Sequence, residues 1–552
     1  MSFLRDMLRS KKSAQQLKQT VRVKYELCTS PIHISDEQPT GPVSAAFKEY
    51  VNNDIPARLI DTSKMQFVSR KDVFNVFQDK IASITDAHIQ ERIRSSQSDP
   101  LATYQPRRET VIRQIIQEVV KYVILSHRWD EVVGEPTYQD VSGGKKHAAI
   151  FKKLIQFCKV STKLGHKLAW IDTCCIDKTN AAELGEAIHG MYKWYANSYL
   201  CIVHLAESTS YVDWVNESWF RRGWTLQELL APKRVKFYDK NWQPFAPPAI
   251  EDDRKFADVL SSLSSITNIS KTVLTADNSQ GVQGCTFWEI MSWASKRETT
   301  RIEDRAYSLI GLFRVSLTVT YGEGELAFSR LVEVIAAKNP SWHIFTWFGQ
   351  PSRDHFALAP SPAAYPMFEA LMACRTGVQE FAVTSNGLSL RSLPPVPMEV
   401  SSVIDPDGAE KPFLVHLKPR PADEISLGRY GTVIVKCGAT RLKTILEARH
   451  LSACILNHHG VRSRERGELV LGEEYICLLL FSEDGEDDEM PWMKLHTDNL
   501  LRISFVGLPR AISGDSVIQE PGSKVTRGVS MAGPKSFTLP LETISIRSPT
   551  ST

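Results

Sequence analysis

From Tyr122 onward the chain alternates short apolar runs with amphipathic stretches of helical period, and this alternation limits the fold more than any other feature. Tyr122–Leu125, Leu168–Ile171 and Leu200–Leu205 are runs of strand length with almost no polar interruption, as expected of strands covered on both faces. Between them, His147–Leu164 carries Ile150, Leu154, Phe157, Cys158 and Ser161 on one helical face. Ala182–Ala196 does the same with Leu184, Ile188, Met191, Tyr192 and Tyr195. Trp219–Ala231 reads as a third helix, stopped by Pro232, and Arg234–Tyr238 as a fourth strand. Strand–helix alternation of this kind predicts an α/β fold with a parallel sheet wrapped by helices.

Either side of this region the pattern changes. Residues 1–118 form a polar N-terminal segment with a helical stretch at Lys71–Ser83 and no recognisable chemistry. The α/β domain is expected over 119–245 and a helical extension over 246–340. In that extension Ala306, Leu309, Ile310 and Phe313 share a face, as do Phe328, Leu331 and Ile335. From 341 to 520 the expected elements are strands, at His343–Trp347, Glu380–Thr384, Leu388–Arg391, Phe413–Leu417, Gly431–Cys437 and Glu474–Phe481. Their Pro and Gly turns make this a β-rich domain. The acidic run Glu483–Glu489 reads as a solvated loop, and 521–552 as a disordered tail.

Composition narrows the function classes. The 66 basic and 63 acidic residues nearly cancel, so no nucleic-acid partner is expected. Ten cysteines without a CxxC pair, several inside apolar runs, read as buried thiols in a reducing compartment. Met1–Lys12 is charged and lacks an apolar core, and the longest apolar run is Tyr475–Phe481. A cytoplasmic protein without a membrane span is expected. Cys454 with His458 and His459 has metal-like spacing but no further ligands nearby, so no metal site is assigned.

Four segments carry a family resemblance: Tyr122-Val-Ile-Leu-Ser-His-Arg-Trp129, Ala169-Trp-Ile-Asp-Thr-Cys-Cys-Ile-Asp-Lys178, Glu183-Leu-Gly-Glu-Ala-Ile-His-Gly-Met191 and Trp219-Phe-Arg-Arg-Gly-Trp-Thr-Leu-Gln-Glu-Leu229. In this order and spacing they resemble the fungal HET domain of heterokaryon (vegetative) incompatibility proteins. Ser292-Trp-Ala-Ser-Lys296, Glu303-Asp-Arg-Ala-Tyr-Ser-Leu-Ile-Gly-Leu-Phe313 and Tyr321-Gly-Glu-Gly324 resemble the helical extension that often follows it. Many family members add a nucleotide-binding module and repeats. This sequence has no GxxxxGK[ST] loop, and Ser142-Gly-Gly-Lys-Lys146 has the wrong spacing.

The resemblance implies a role in incompatibility and programmed cell death, and a TIR/flavodoxin-like parallel sheet with flanking helices. Some TIR domains hydrolyse NAD, which makes NAD a candidate substrate with no cofactor required. Trp224-Thr-Leu-Gln-Glu228 resembles the segment that holds the TIR catalytic glutamate, so Glu228 inherits that role. Ligands of open parallel sheets bind beyond the carboxyl ends of the strands, where Ser126, His127, Arg128 and Asp172 would converge. On a continuous helix Arg221, Trp224 and Glu228 would share a face, with Trp224 stacking on a flat ring and Arg128 or Arg221 holding a pyrophosphate. Structural alternatives stand beside each role. Glu228 would pair with Arg221 or Arg234 on a helix surface, Asp172 would cap a turn, and Trp170, Trp219 and Trp224 would belong to the core. Glu183, three residues after Asn180, reads as part of a helix start. The alternatives to an NAD-consuming effector are a module acting by TIR-like self-assembly, with a homo-oligomer formed through this domain, and a diverged member without a death role. The sequence identifies no incompatibility partner.

Overall fold

A computed structural model describes residues 41–97, 107–144, 149–276, 282, 284–339, 341–349, 358–365, 381–384, 387–392, 395–405, 411–420, 429–448, 450–456, 459–460, 466–470, 474–482, 492–499, 501–507, 536–540 and 542–547. The chain divides into two compact units. One comprises Met1–Glu49 and Gln78–Arg113. Its described part is helical, with Asp86 of the helix Asp86–Gln97 paired to Arg108.

The other unit, Tyr50–Phe77 and Gln114–Thr552, holds the sheet expected from the sequence. Its strands are β1 (Arg58–Asp61), β2 (Gln66–Ser69), β3 (Tyr122–His127), β4 (Leu168–Trp170), β5 (Leu200–His204) and β6 (Val235–Tyr238), in the order β2-β1-β4-β3-β5-β6. β3 is parallel to β4 and to β5, and β5 is parallel to β6. Every residue of β3, β4, β5 and β6 is buried, which explains their near-continuous apolar sequences.

The antiparallel hairpin β1–β2 was not foreseen in the N-terminal segment. It pairs with β4 through Ile60↔Ala169 and Asp61↔Leu168. Four-residue strands leave too little periodicity to register. The turn between them is built by Asp61, whose Oδ1 accepts from the amides of Ser63 and Lys64 at 2.9 and 3.0 Å.

Two helices make the crossovers. Lys152–Lys163, between β3 and β4, buries Leu154, Phe157, Cys158 and Ser161, the face read from the sequence. Ala181–Asn197, between β4 and β5, is capped by Asn180, whose side chain accepts from the amides of Ala182 and Glu183. Glu183 takes the Asp177 amide (2.8 Å) and pairs with Arg58, so the helix start is also fastened to β1. The helix buries Ala187, Ile188, Met191, Trp194 and Tyr195, while Leu184 and Tyr192 are only half-buried. Trp194 and Tyr195 pack edge-on against Trp170 of β4.

The region after β6 is helical, as expected, through Ala257–Thr267, Phe287–Ala294 and Leu326–Lys338. Glu303–Phe313 differs in detail, forming two short helices, Asp304–Tyr307 and Ile310–Phe313. A buried arginine ties this region to the sheet. The Arg254 guanidinium donates to the carbonyls of Leu229 (3.2 Å), Pro232 (3.0 Å) and Lys233 (3.0 Å) and to Asp252.

His343–Trp347, expected as a strand, is instead a 3-10 turn at Trp342–Phe345, begun by Ser341. All four residues are buried, and a short buried turn cannot be told from a buried strand by periodicity. Beyond it the chain is β-rich. Phe381–Thr384, Gly387–Ser392, Phe413–Pro419, Val433–Cys437 and Glu474–Ser482 fall where strands were expected. Val396–Ile404, His450–Ile455 and Leu501–Gly507 add to them. Val396, Met398, Val415, Val435, Leu451 and Leu479 belong to one core. The tail expected to be disordered contributes two strands, with Ser536–Pro540 paired to Arg466–Val470 and Glu542–Arg547 paired to Gly387–Ser392. Cys454 is buried in its strand, whereas His458 and Glu483–Glu489 lie outside the described residues.

Ile188 is 5% exposed on the face that covers the sheet. Ile188→Asp should therefore unfold this unit or destabilise it by roughly 3–5 kcal/mol, because the new charge has no partner there. Thermal melting checks this, and an unchanged transition would show that the packed face is misassigned.

Candidate functional site

The apolar run of β3 ends at Leu125, and the next two residues remain in the strand and remain buried. Ser126 pairs in register with Val203 and His127 with His204 of β5, so the carboxyl ends of these central strands lie side by side. Buried polar atoms at such a place need partners. Ser126 has two. Its Oγ accepts from Trp219 Nε1 at 2.8 Å and donates to Glu228 Oε2.

Glu228 lies in the helix Thr225–Leu230, all six residues of which are buried, and is itself 8% exposed. Burial pushes its carboxyl up to about 7, and Asp172 adds to the rise. The Ser126 hydroxyl, Arg222 and the Tyr195 hydroxyl oppose it. The surface salt bridge to Arg221 or Arg234 is thus not what this residue makes. Arg234 pairs with Glu251, and the exposed Arg221 donates to the Asn216 carbonyl.

The helix expected over Trp219–Ala231 is broken. Ser218–Arg221 is a 3-10 turn, Arg222 is extended, and a regular helix resumes only at Thr225. Gly223 allows the extension to approach closely at the break, since a Cβ there would meet Thr299 Cγ2 at 2.5 Å. The segment Arg297–Thr299 from the helical extension runs alongside. Gly223 donates its amide to the Glu298 carbonyl (2.8 Å), and Arg297 Nη1 donates to the Arg222 carbonyl and the Thr225 hydroxyl, each at 2.8 Å. Arg221, Trp224 and Glu228 therefore do not share a face. Trp224 hydrogen-bonds to Asp304, and it is Arg222 whose charge bears on Glu228 and on His127.

The remaining expected residues surround Ser126 unevenly. His127 is held well below the usual histidine range by burial, reinforced by Lys153, His204, Arg222 and Lys178. Its Nε2 stands 3.8 Å from Glu135 Oε1 and 3.9 Å from Asp172 Oδ1, and neither ring nitrogen has a hydrogen-bond partner. Asp172 accepts from Trp129 Nε1 at 2.7 Å. Arg128 turns aside to Glu207 (2.7 Å) and the Ser218 hydroxyl (3.1 Å). The structure thus brings Ser126, His127, Asp172 and Glu228 to the ends of β3 and β4, and leaves Arg128, Arg221 and Trp224 engaged elsewhere.

Comparison with known proteins finds one family. The sequence model of the heterokaryon incompatibility protein (HET) family matches residues 122–213. The vegetative incompatibility protein HET-E-1 of Podospora anserina is 36% identical over 231 residues. The chain carries a HET domain at residues 122–213. The alignment covers 40% of this chain and 16% of HET-E-1, so the chain spans about a sixth of that relative's length. No solved structure matches.

The HET match takes in β3, β4, β5 and both crossover helices, and ends before the segment carrying Trp219 and Glu228. Trp219, Tyr195, Arg222 and Arg297 were not singled out as site residues from the sequence. Trp219 and Arg222 lie inside a quoted motif, and Arg297 immediately follows another, but nothing in the spacing revealed which way they turn. The buried cysteines behave as expected of inert thiols, and burial raises Cys158 to about 12. Cys174 and Cys175 are both buried because they sit on a short helix, Asp172–Cys175, rather than a strand. No helix among the described residues is long and apolar enough to cross a membrane.

The raised carboxyl has a consequence for stability. A group whose folded pKa exceeds its unfolded value stabilises fully below the unfolded pKa, and that contribution is lost as pH rises through the folded one. Glu228 should thus destabilise the fold as pH climbs from about 4.5 through about 7, by at most roughly 3 kcal/mol. Glu228→Gln keeps an acceptor for Ser126 and removes the ionisation. Its melting temperature should exceed that of the wild type at pH 8 and match it near pH 5. A mutant less stable at pH 8 would mean that the ionised carboxylate is well solvated in place.

Proposed function

We propose that the chain acts in heterokaryon incompatibility through its HET domain, and that this domain hydrolyses NAD with Glu228 as the catalytic carboxylate. The observation that carries the reading is the burial of Glu228 beneath the ends of the central parallel strands, hydrogen-bonded to Ser126. The strand order supports it. In order along the chain, the parallel strands β3, β4, β5 and β6 lie as second, first, third, fourth. That order is similar to the flavodoxin one, in which ligands sit where the order reverses. Here the reversal falls between β3 and β5, beside Ser126 and His127, in keeping with the TIR-like resemblance.

The chemistry suits a single carboxylate. Glycosidases generally need a second carboxyl to protonate a leaving oxygen. In NAD the nicotinamide is already cationic. It departs neutral with the electron pair of the C1′–N bond, and water captures the ribosyl cation and releases a proton. A carboxylate in a desolvated site stabilises that cation more strongly than one in water. Ser126, fixed by the Trp219 N–H, holds the Glu228 side chain in one rotamer.

Glu228→Gln should lower NAD turnover by the full-length chain about a hundredfold to a thousandfold, or roughly 2.7–4 kcal/mol. It should also abolish toxicity on overexpression. The wild-type kcat/KM should fall about tenfold per pH unit below about 7, because the ionised form is required. Wild-type protein that leaves NAD intact under death-inducing expression overturns the enzymatic reading. A second reading, action by assembly, is favoured by valines exposed beyond the strand ends, Val132 at 95% in a turn and Val212 at 82% on the 3-10 helix Tyr211–Val215. Toxicity that persists in Glu228→Gln would select it.

A further inference from the structure

Two cations face one indole beside this site. Lys178 Nζ stands 3.6 Å from the centroid of the Trp129 ring, and the Arg222 guanidinium carbon 6.0 Å from the same centroid. Among the described residues neither cation makes an ion pair or a side-chain hydrogen bond with an acid. Trp129 is held in place by its own Nε1–H bond to Asp172 and is 38% exposed, so the cluster is open to solvent. Asp172 and Glu135 attract Lys178 and Glu228 attracts Arg222, but none of them closes onto either cation, and the ring face offsets only part of the repulsion between the two.

We propose that Lys178 and Arg222, set around Trp129, form a subsite for the diphosphate of a dinucleotide substrate. The assignment rests on the reading of Glu228 as acting on NAD and replaces the Arg128 or Arg221 anchor expected from the sequence. A second observation points to a ligand here. The imidazole of His127, 1% exposed, lies within the field of both cations, with Glu135 and Asp172 at 3.8 and 3.9 Å from Nε2 and neither ring nitrogen hydrogen-bonded. Arg222 also connects the two halves of the site, since its charge bears on Glu228. Its backbone is fixed by Arg297, through the Arg222 carbonyl, and by the bridge to Glu298, and among the described residues its guanidinium makes no hydrogen bond. An arginine beside a lysine supplies a planar fork and a point charge, a combination suited to adjacent phosphates.

Calorimetric titration of the full chain with ADP-ribose, inorganic pyrophosphate and adenosine tests the subsite without any turnover. ADP-ribose and pyrophosphate should bind saturably and adenosine should not. Lys178→Met and Arg222→Gln should each weaken ADP-ribose binding at least about tenfold, with melting temperatures no lower than that of the wild type. If Arg222→Gln proves unstable, Lys178→Met, an exposed position, carries the test alone. The absence of saturable binding by either phosphate compound, or unchanged affinity in Lys178→Met, overturns the proposal. NAD cleavage that needs Glu228 while ADP-ribose affinity ignores Lys178 rejects the subsite and keeps the hydrolase reading. ADP-ribose held through Lys178 by a chain that leaves NAD intact does the reverse.

Discussion

The complete burial of β3 at the centre of the sheet is the constraint from which the rest follows. With β4 on one side, β5 on the other and helices covering its faces, the strand can hold only apolar residues from Tyr122 to Leu125. The first polar positions, Ser126 and His127, come before the strand has left the interior. A buried hydroxyl without a partner costs on the order of 1–3 kcal/mol. Packing Trp219 and Glu228 against Ser126 removes that cost, but it puts a carboxyl where ionisation is unfavourable. The perturbed acid is therefore a result of how the sheet ends, and it needs no separate device to raise its pKa.

The parts of this arrangement that were legible in the sequence are those governed by simple periodicity. Continuous apolar runs gave β3, β4 and β5 in parallel, and the helical stripe Leu154, Phe157, Cys158, Ser161 identified the buried face of its helix. The legible part stops where direction is set by tertiary contacts. Arg221 and Arg222 are adjacent and chemically alike, yet a 3-10 turn that ends at Arg221 sends one to the Asn216 carbonyl and the other toward Trp129. No propensity distinguishes them, because the choice is made by Gly223 and the neighbouring Glu298 strand-like bridge. The same limit hid the hairpin β1–β2, whose strands are too short to show a period, and turned Trp342–Phe345 from an expected strand into a 3-10 turn.

The helical extension is therefore part of the site's construction. Arg297 holds the Arg222 carbonyl and the Thr225 hydroxyl, which in turn donates to the Trp219 carbonyl at 2.6 Å. One guanidinium thus fixes the residue that steers Ser126, the residue before Gly223, and the first turn of the Glu228 helix. At the far end of that helix Arg254 takes the carbonyls of Leu229, Pro232 and Lys233, while Asp253 accepts from the Phe237 amide of β6 at 2.8 Å and pairs with Lys236. Both ends of the short helix are clamped by residues that lie beyond the HET match in the sequence.

A six-residue helix has little stability of its own, so its position must be imposed by its surroundings. Two arginines supply that restraint, the buried Arg254 and the half-buried Arg297, and each donates mainly to backbone carbonyls. The clamp and the carboxyl are nonetheless coupled, because burial lowers Arg297 to about 9 and the charge of Glu228 opposes that fall. A change of protonation at Glu228 is therefore felt at the guanidinium that holds the first turn of its own helix. The frame itself is built from backbone carbonyls left over at the ends of a very short helix, and the acid it holds is tied electrostatically to one of the two guanidiniums that use them.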